Sequence, residues 1–190
     1  MIARTGDVPD RDMRCNGAEQ DNNQTMGERG TVMEIDGREL RNALGRFATG
    51  VCIISTVSEA GEPMGLTANS FASVSLDPPL VLWSLQNNSD VFEVFSRPQH
   101  YAINVLAREH HEHSNRYAKK GDHLLDPAHF TPGQFGSPLI NEALVSFECE
   151  LHATHEGGDH LIIVGRVTAM HAREAGEPLL FYCGGYRHLG

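Results

Sequence analysis

Apolar residues first recur at helical spacing at Leu40, Ala43, Leu44 and Phe47, a one-sided stripe that predicts a helix running to about Ala48. Asp36 stands where a cap is needed, Glu39 follows three residues later as a capping box, and Ile35 with Leu40 makes a hydrophobic staple. Gly50 is placed to end this helix. From Val51 the apolar period shortens to two, which predicts strands over residues 51–57, 64–75, 80–85 and 101–106. Later, Ala143, Val145, Phe147, Cys149, Leu151 and Ala153 alternate with Ser146, Glu148, Glu150 and His152, the pattern of a half-buried strand. Its partner, residues 161–170, follows a turn of Glu156-Gly157-Gly158-Asp159 that suits a hairpin. Short helices are predicted after Ser89, carrying Val91, Phe92 and Phe95, and over residues 108–119. Many strands, few helices and no strand–helix alternation favour a mainly β, antiparallel barrel over a parallel α/β sheet.

Composition sharpens the boundaries. Residues 1–33 are rich in Asp, Asn, Gln, Gly and Arg and contain no aromatic residue, so they supply no face to pack. A disordered N-terminal extension is expected there, with one domain over residues 34–190. The net charge is -10 and Lys and Arg nowhere cluster, which argues against nucleic-acid and anionic-membrane surfaces and for small molecules or proteins as partners. No apolar run approaches the ~20 residues of a membrane span, and the first residues lack a charged-then-apolar leader, so a cytoplasmic location is expected. Cys15, Cys52, Cys149 and Cys183 form no Cys-x-x-Cys pair; they read as buried, inert thiols.

Residues 65–80 hold Thr67, Asn69, Ser70, Ser73 and Ser75 among small residues, closed by Pro78-Pro79. Such a run offers a ligand many neutral donors and acceptors without charge; a serine-rich strand with one solvated face is the alternative. No P-loop and no G-x-G-x-x-G occurs, which excludes the common nucleotide folds. Ser89, opening a short helix, is a position where hydroxyl and backbone N–H groups hold phosphate, provided the following Asp90 turns away. His110, His111 and His113, like His152 and His155, lack completing ligands at metal spacing, so no metal is expected. No serine sits in a nucleophile elbow. Gly158-Asp159-His160 lies in the hairpin turn and would fix an imidazole at a barrel rim; Gly121-Asp122-His123 repeats the triplet in a polar loop, and spacing does not choose between them. The C-terminal Gly184-Gly185-Tyr186-Arg187-His188 stretch reads either as a flexible tail or as a segment packing back on a site.

Five segments in order carry a resemblance: Leu44-Gly45-Arg46-Phe47-Ala48-Thr49-Gly50-Val51, residues 67–80, Ile103-Asn104-Val105-Leu106-Ala107, Gly158-Asp159-His160, and Pro178-Leu179-Leu180-Phe181-Tyr182 with Gly185-Tyr186. Over about residues 36–190 the chain resembles the flavin-reductase-like family with the FMN-binding split barrel. The resemblance implies a six-stranded antiparallel Greek-key split barrel with short flanking helices. It also implies a homodimer with flavin in a groove near the interface, and reduction of FMN or FAD by NADH or NADPH on behalf of a partner monooxygenase. By the same resemblance Thr67, Ala68, Asn69 and Ser70 line the isoalloxazine and ribityl chain, with Ser84, Leu85, Asn104, Val105 and Leu106 beside them and Ser89 toward the phosphate. Arg46, Phe47, Ala48, Thr49, His160 and Tyr186 serve the nicotinamide. His160 is preferred to His123 as the catalytic, orienting histidine because it alone opens a barrel strand. Many relatives place a basic or hydroxyl residue near the flavin phosphate where this chain reads Gln86-Asn87-Asn88-Ser89-Asp90, so either phosphate affinity is weak or Arg97 or Arg116 supplies the charge. A flavin-binding sensor or carrier without reductase activity is the alternative on the same barrel.

Overall fold

The computed structural model describes residues 35–189; the extension expected over residues 1–33 lies outside the described residues. The elements run α1 (Gly37–Leu44), β1 (Thr49–Gly50), β2 (Cys52–Val57), β3 (Pro63–Ala68), β4 (Ala72–Leu76), β5 (Pro79–Gln86), α2 (Phe92–Ser96) and β6 (His100–Val105). Then follow α3 (His111–Tyr117), β7 (Phe130–Pro132), β8 (Pro138–Ile140), β9 (Val145–Gly157), β10 (His160–Ala172), β11 (Leu180–Tyr182) and β12 (Gly185–Arg187). Seven strands form one antiparallel sheet in the order β3-β2-β6-β9-β10-β5-β4, beside a small β1-β11-β12 sheet and the β7-β8 pair.

The strand order forces the sheet to curl. β3 and β4 are consecutive in sequence yet occupy opposite edges, and only residues 69–71 join them. Six inter-strand spacings of ~4.8 Å would hold the edges of a flat sheet about 29 Å apart, whereas three linking residues span no more than about 15 Å. The edges therefore face each other across a seam. This is the barrel class the alternation predicts, with seven strands in the main sheet rather than six, because the predicted 64–75 strand breaks at the seam into β3 and β4.

β2 shows how the alternation builds two cores. Cys52 and Ile54 point into the barrel with Trp83, Phe95, Tyr101, Ile103 and Ile163; Val51 and Ile53 pack on the other side with Leu106, Tyr117, Leu125 and Leu179. The single tryptophan, Trp83, is fully buried, with Phe95 edge-on at 6.2 Å. Gly165 lets Tyr101 lie against β10, since a side chain there would overlap the Tyr101 hydroxyl.

Several local expectations change. Asp36 caps α1 as predicted, accepting from the N–H groups of Arg38 and Glu39 at 2.8 and 2.9 Å, but the helix ends at Leu44 with Gly45, not Gly50, as its cap. Thr49 and Gly50 pair instead with Phe181 and Leu180, a long-range strand contact that local helix propensity does not anticipate. The staple does not close: Ile35, Leu40, Leu44 and Phe47 are all exposed. Cys52 and Cys149 are free, buried thiols, burial pushing each up to about 12. Cys183 sits half-buried in the β11–β12 turn at φ 48; Cys15 lies outside the described residues.

Candidate functional site

A cleft of about 120 Å³ opens where the barrel closes. Leu66, Thr67 and Ala68 of β3 form one wall, Ser84 and Leu85 of β5 the other, and Ser70 lies in the link between the sheet edges. Ser89, Ala118 at the end of α3 and His160 at the start of β10 complete it. The structure thus brings together Thr67, Ala68, Ser70, Ser84, Leu85, Ser89 and His160 of the residues the sequence singles out. Leu66, Gln86 and Ala118 also line it; Ala118 carries no chemical signal in the sequence, being an alanine on a separate helix.

Hydrogen bonds explain why polar residues sit on these walls. The Ser70 hydroxyl accepts from the Ser84 N–H at 2.9 Å and donates to the Ser84 carbonyl at 3.2 Å, stitching the link to β5. Thr67 Oγ1 donates to the Ser114 carbonyl at 2.8 Å, and Asn69 Nδ2 donates to Thr49 Oγ1 at 3.3 Å. Buried polar groups need partners, so the Thr67 and Ser70 hydroxyls expected to meet a ligand are spent on shaping its walls. Half-buried Leu66 then supplies apolar surface to the cleft, while Ala68 and Leu85 border it from the barrel core.

Asp90 does turn away from the Ser89 end. Its carboxylate accepts from the Gly121 N–H at 2.7 Å and meets His123 Nε2 at 3.1 Å, while His123 Nδ1 reaches the Gly65 carbonyl at 3.1 Å. His123 is therefore a buried tie between β3 and Asp90, not a site histidine. Desolvation raises the Asp90 carboxyl, but the Gly121 N–H and the His123 charge outweigh it and hold it below its ordinary 3.8. A depressed carboxylate contributes stability above the unfolded value that is lost as pH falls through the folded one. The stability difference between wild type and Asp90→Asn, read by thermal melts, is expected to be full above pH 5 and to shrink below 3.8; a pH-independent difference would refute the coupling. Arg116 is held by Asp122 at 3.5 Å and Asp126 at 3.2 Å, and Arg97 is exposed beyond α2. Neither lines the cleft, whereas the exposed Lys119 and Lys120 directly follow Ala118.

His160 Nδ1 meets the Asp159 carboxylate at 2.7 Å, and the His160 hydrogen bond, then its charge, lowers the Asp159 carboxyl. An ionised Asp159 keeps the proton on Nδ1 and leaves Nε2 for a ligand. Asn87 bonds to the Asp159 and Gly158 carbonyls, so the turns flanking the cleft are tied to each other. Arg46, Phe47 and Ala48 are exposed between α1 and β1, and Thr49, which accepts from Asn69 Nδ2, does not line the cleft.

Four expected flavin neighbours do not line the cleft: Asn69, whose amide is turned to Thr49, and three that lie in the core. Asn104 is fully buried, its amide bonded to Ile53, Ser55, Ile140 and Ser146; Val105 pairs with Cys52 and Val145, and Leu106 lies in the second core. Tyr186, expected at the nicotinamide, bonds to α3. The histidines also have structural partners: His110 Nε2 meets the Asn141 carbonyl at 3.0 Å, His111 packs on Tyr186, and His113 packs on His129. Among the described residues no group of three or more His, Cys, Asp or Glu could hold a metal ion. A larger cleft of about 410 Å³ between β8 and the ends of β9 and β10 contains none of the expected site residues. Its His171 and Arg173 are engaged by Glu148 and Glu109, so the smaller, uncharged cleft is the better candidate.

The family model for the flavin reductase like domain matches residues 44–190. The FMN reductase (NADH) of Agrobacterium fabrum is 44% identical over 149 residues, covering 78% of this chain and 84% of that protein. The reductase component of a flavin-dependent trigonelline monooxygenase from Acinetobacter baylyi is 40% identical over 142 residues, or 75% of this chain, which spans 45% of that protein's length. The structure of a Streptomyces globisporus NADH:FAD oxidoreductase, in complex with NAD and FAD fragments, superposes with a TM-score of 0.77 at 34% identity, covering 82% of this chain and 93% of that one. With its strand order, its seam cleft and a family match over most of its length, this chain belongs to the flavin reductase like domain family.

Proposed function

We propose that the protein is an NAD(P)H-dependent flavin reductase that passes hydride from nicotinamide to FMN or FAD and supplies reduced flavin to a partner monooxygenase. The observation that carries this reading is the convergence of β3, β5, Ser89 and His160 on one uncharged cleft at the barrel seam, in a chain of this family. The residues suit the group. Leu66 offers apolar surface to a ring system, and the Ser89 hydroxyl, together with Lys119 and Lys120 directly after Ala118 in the chain, would supply donors and positive charge toward a phosphate.

A bound flavin supplies the hydride acceptor. The chain's own residues orient and exclude water, because hydride transfer needs close stacking of donor and acceptor rather than an acid or base of matched pKa. Asp159 fixes the His160 ring, and His160 Nε2 accepts from or donates to the nicotinamide amide according to its protonation. His160→Ala is expected to raise the KM for nicotinamide about three- to tenfold, the cost of one lost hydrogen bond, with the flavin dissociation constant unchanged. Unchanged nicotinamide kinetics would remove His160 from that role.

NADH and NADPH oxidation with added FMN or FAD tests the reading directly. Flavin binding without turnover on either nicotinamide would favour the sensor or carrier instead. We also propose a cytoplasmic homodimer. Among the described residues no helix is long and apolar enough to cross a membrane. Among the described residues nothing covers the apolar stripe of Leu40, Leu44 and Phe47 along and just beyond α1, which a second copy would cover; sedimentation equilibrium reads the oligomeric state.

A further inference from the structure

The segment of residues 67–70 is held at both ends by one small sheet. At its start, Thr67 Oγ1 donates to the Ser114 carbonyl at 2.8 Å. Ser114 is fully buried, and its Oγ lies 2.8 Å from Tyr186 Oη on β12. Tyr186 donates its own proton to Asn115 Oδ1 at 3.2 Å, so Ser114 is the donor to Tyr186. Two rings brace the phenol, Phe181 at 5.7 Å and 74°, and His111 at 4.5 Å and 80°. Further along the segment, Asn69 Nδ2 donates to Thr49 Oγ1 at 3.3 Å, and Thr49 is the β1 residue paired with Phe181 of β11. Both attachments therefore lead to the β1-β11-β12 sheet, through Tyr186 on one side and Thr49 on the other.

We propose that this sheet is a clasp that sets the flavin-facing wall, with Tyr186 and Thr49 as positioning residues for flavin rather than contacts to nicotinamide. The proposal rests on the flavin reading of the seam cleft. α3 transmits the Tyr186 contact twice: Ser114 holds Thr67, and Ala118, four residues further along the chain, lines the cleft itself. The strand residues that meet in the sheet come from residues 49–50 and 180–187, so loosening the C-terminal hairpin would release the wall at both attachments.

Tyr186→Phe keeps the ring packing and removes only Oη. It is expected to raise the FMN and FAD dissociation constants about three- to tenfold, the range for one or two lost hydrogen bonds, while the KM for NADH at saturating flavin stays within about twofold. Thr49→Val should act in the same direction, and Thr49→Ser, which restores the hydroxyl, should recover wild-type flavin affinity. A rise in nicotinamide KM with unchanged flavin affinity in Tyr186→Phe would overturn the proposal in favour of a nicotinamide contact. A lowered melting temperature with unchanged flavin affinity would overturn it in favour of a purely structural role. Ala118→Phe separates the two levels. If it binds flavin as wild type does, the flavin reading of the cleft fails; if it loses flavin while Tyr186→Phe and Thr49→Val bind normally, only the clasp fails.

Discussion

Asn104→Ala is expected to lower the melting temperature by about 10 °C. Asn104 is wholly buried, and its Nδ2 donates to the Ile53 carbonyl at 3.0 Å and to Ser55 Oγ at 2.9 Å. Its Oδ1 accepts from the Ile140 N–H at 3.0 Å and from Ser146 Oγ at 2.7 Å. One amide thus joins β2, β6, β8 and β9. Alanine would strand the Ile140 N–H and the Ser146 hydroxyl away from water, and each orphaned group costs about 1–3 kcal/mol. The sum, of order 3–5 kcal/mol, converts at roughly 2–4 °C per kcal/mol for a chain of this size. Asn104→Asp is expected to be no better, since a carboxylate cannot donate to the Ile53 carbonyl. Thermal unfolding by circular dichroism gives the answer. An unaltered melting temperature combined with weakened flavin binding would restore Asn104 to the flavin site where the sequence places it.

Ala118→Phe is expected to weaken flavin binding at least about 100-fold and to abolish NADH oxidation at micromolar flavin. The side chain of residue 118 borders a cleft of only about 120 Å³, so a phenyl ring there competes for the space of the flavin ring. Losing about 2.7 kcal/mol of ring contact already corresponds to that factor. The cost to folding should be small, of order 1 kcal/mol or less, because the new ring enters open space rather than a packed core. Flavin fluorescence titration measures the affinity, and emission from the buried Trp83 reports that the barrel is intact. Wild-type affinity in a folded variant would move the flavin elsewhere.

How far the sequence could be read depended on how local the cause was. The β9–β10 hairpin was legible because one period-two pattern on each side of a glycine turn suffices; Gly158, at φ 70, takes the left-handed conformation the turn requires. The Asp36 cap was legible for the same reason. The end of α1 was not, because pairing of Thr49 with Phe181 lies 132 residues away in the chain. Asp90 looked like a threat to phosphate because its neighbours in sequence carry no counter-charge, while His123 and the Gly121 N–H that absorb its charge come from a different loop.

The candidate site divides along the same line. Residue types and strand alternation by themselves determined that the chain folds as an antiparallel barrel, that a neutral polar run occupies one strand end, and that a histidine opens a later strand. Tertiary structure decided which atoms remain for a ligand. Barrel closure brought the ends of β3 and β5 together, turned the Thr67 and Ser70 hydroxyls onto protein partners, drew Asn104 into the core and bound Tyr186 to α3. The physical reason is that alternation tells which face of a strand a side chain takes. Each buried donor and acceptor must still find a partner, and in this fold those partners lie far along the chain.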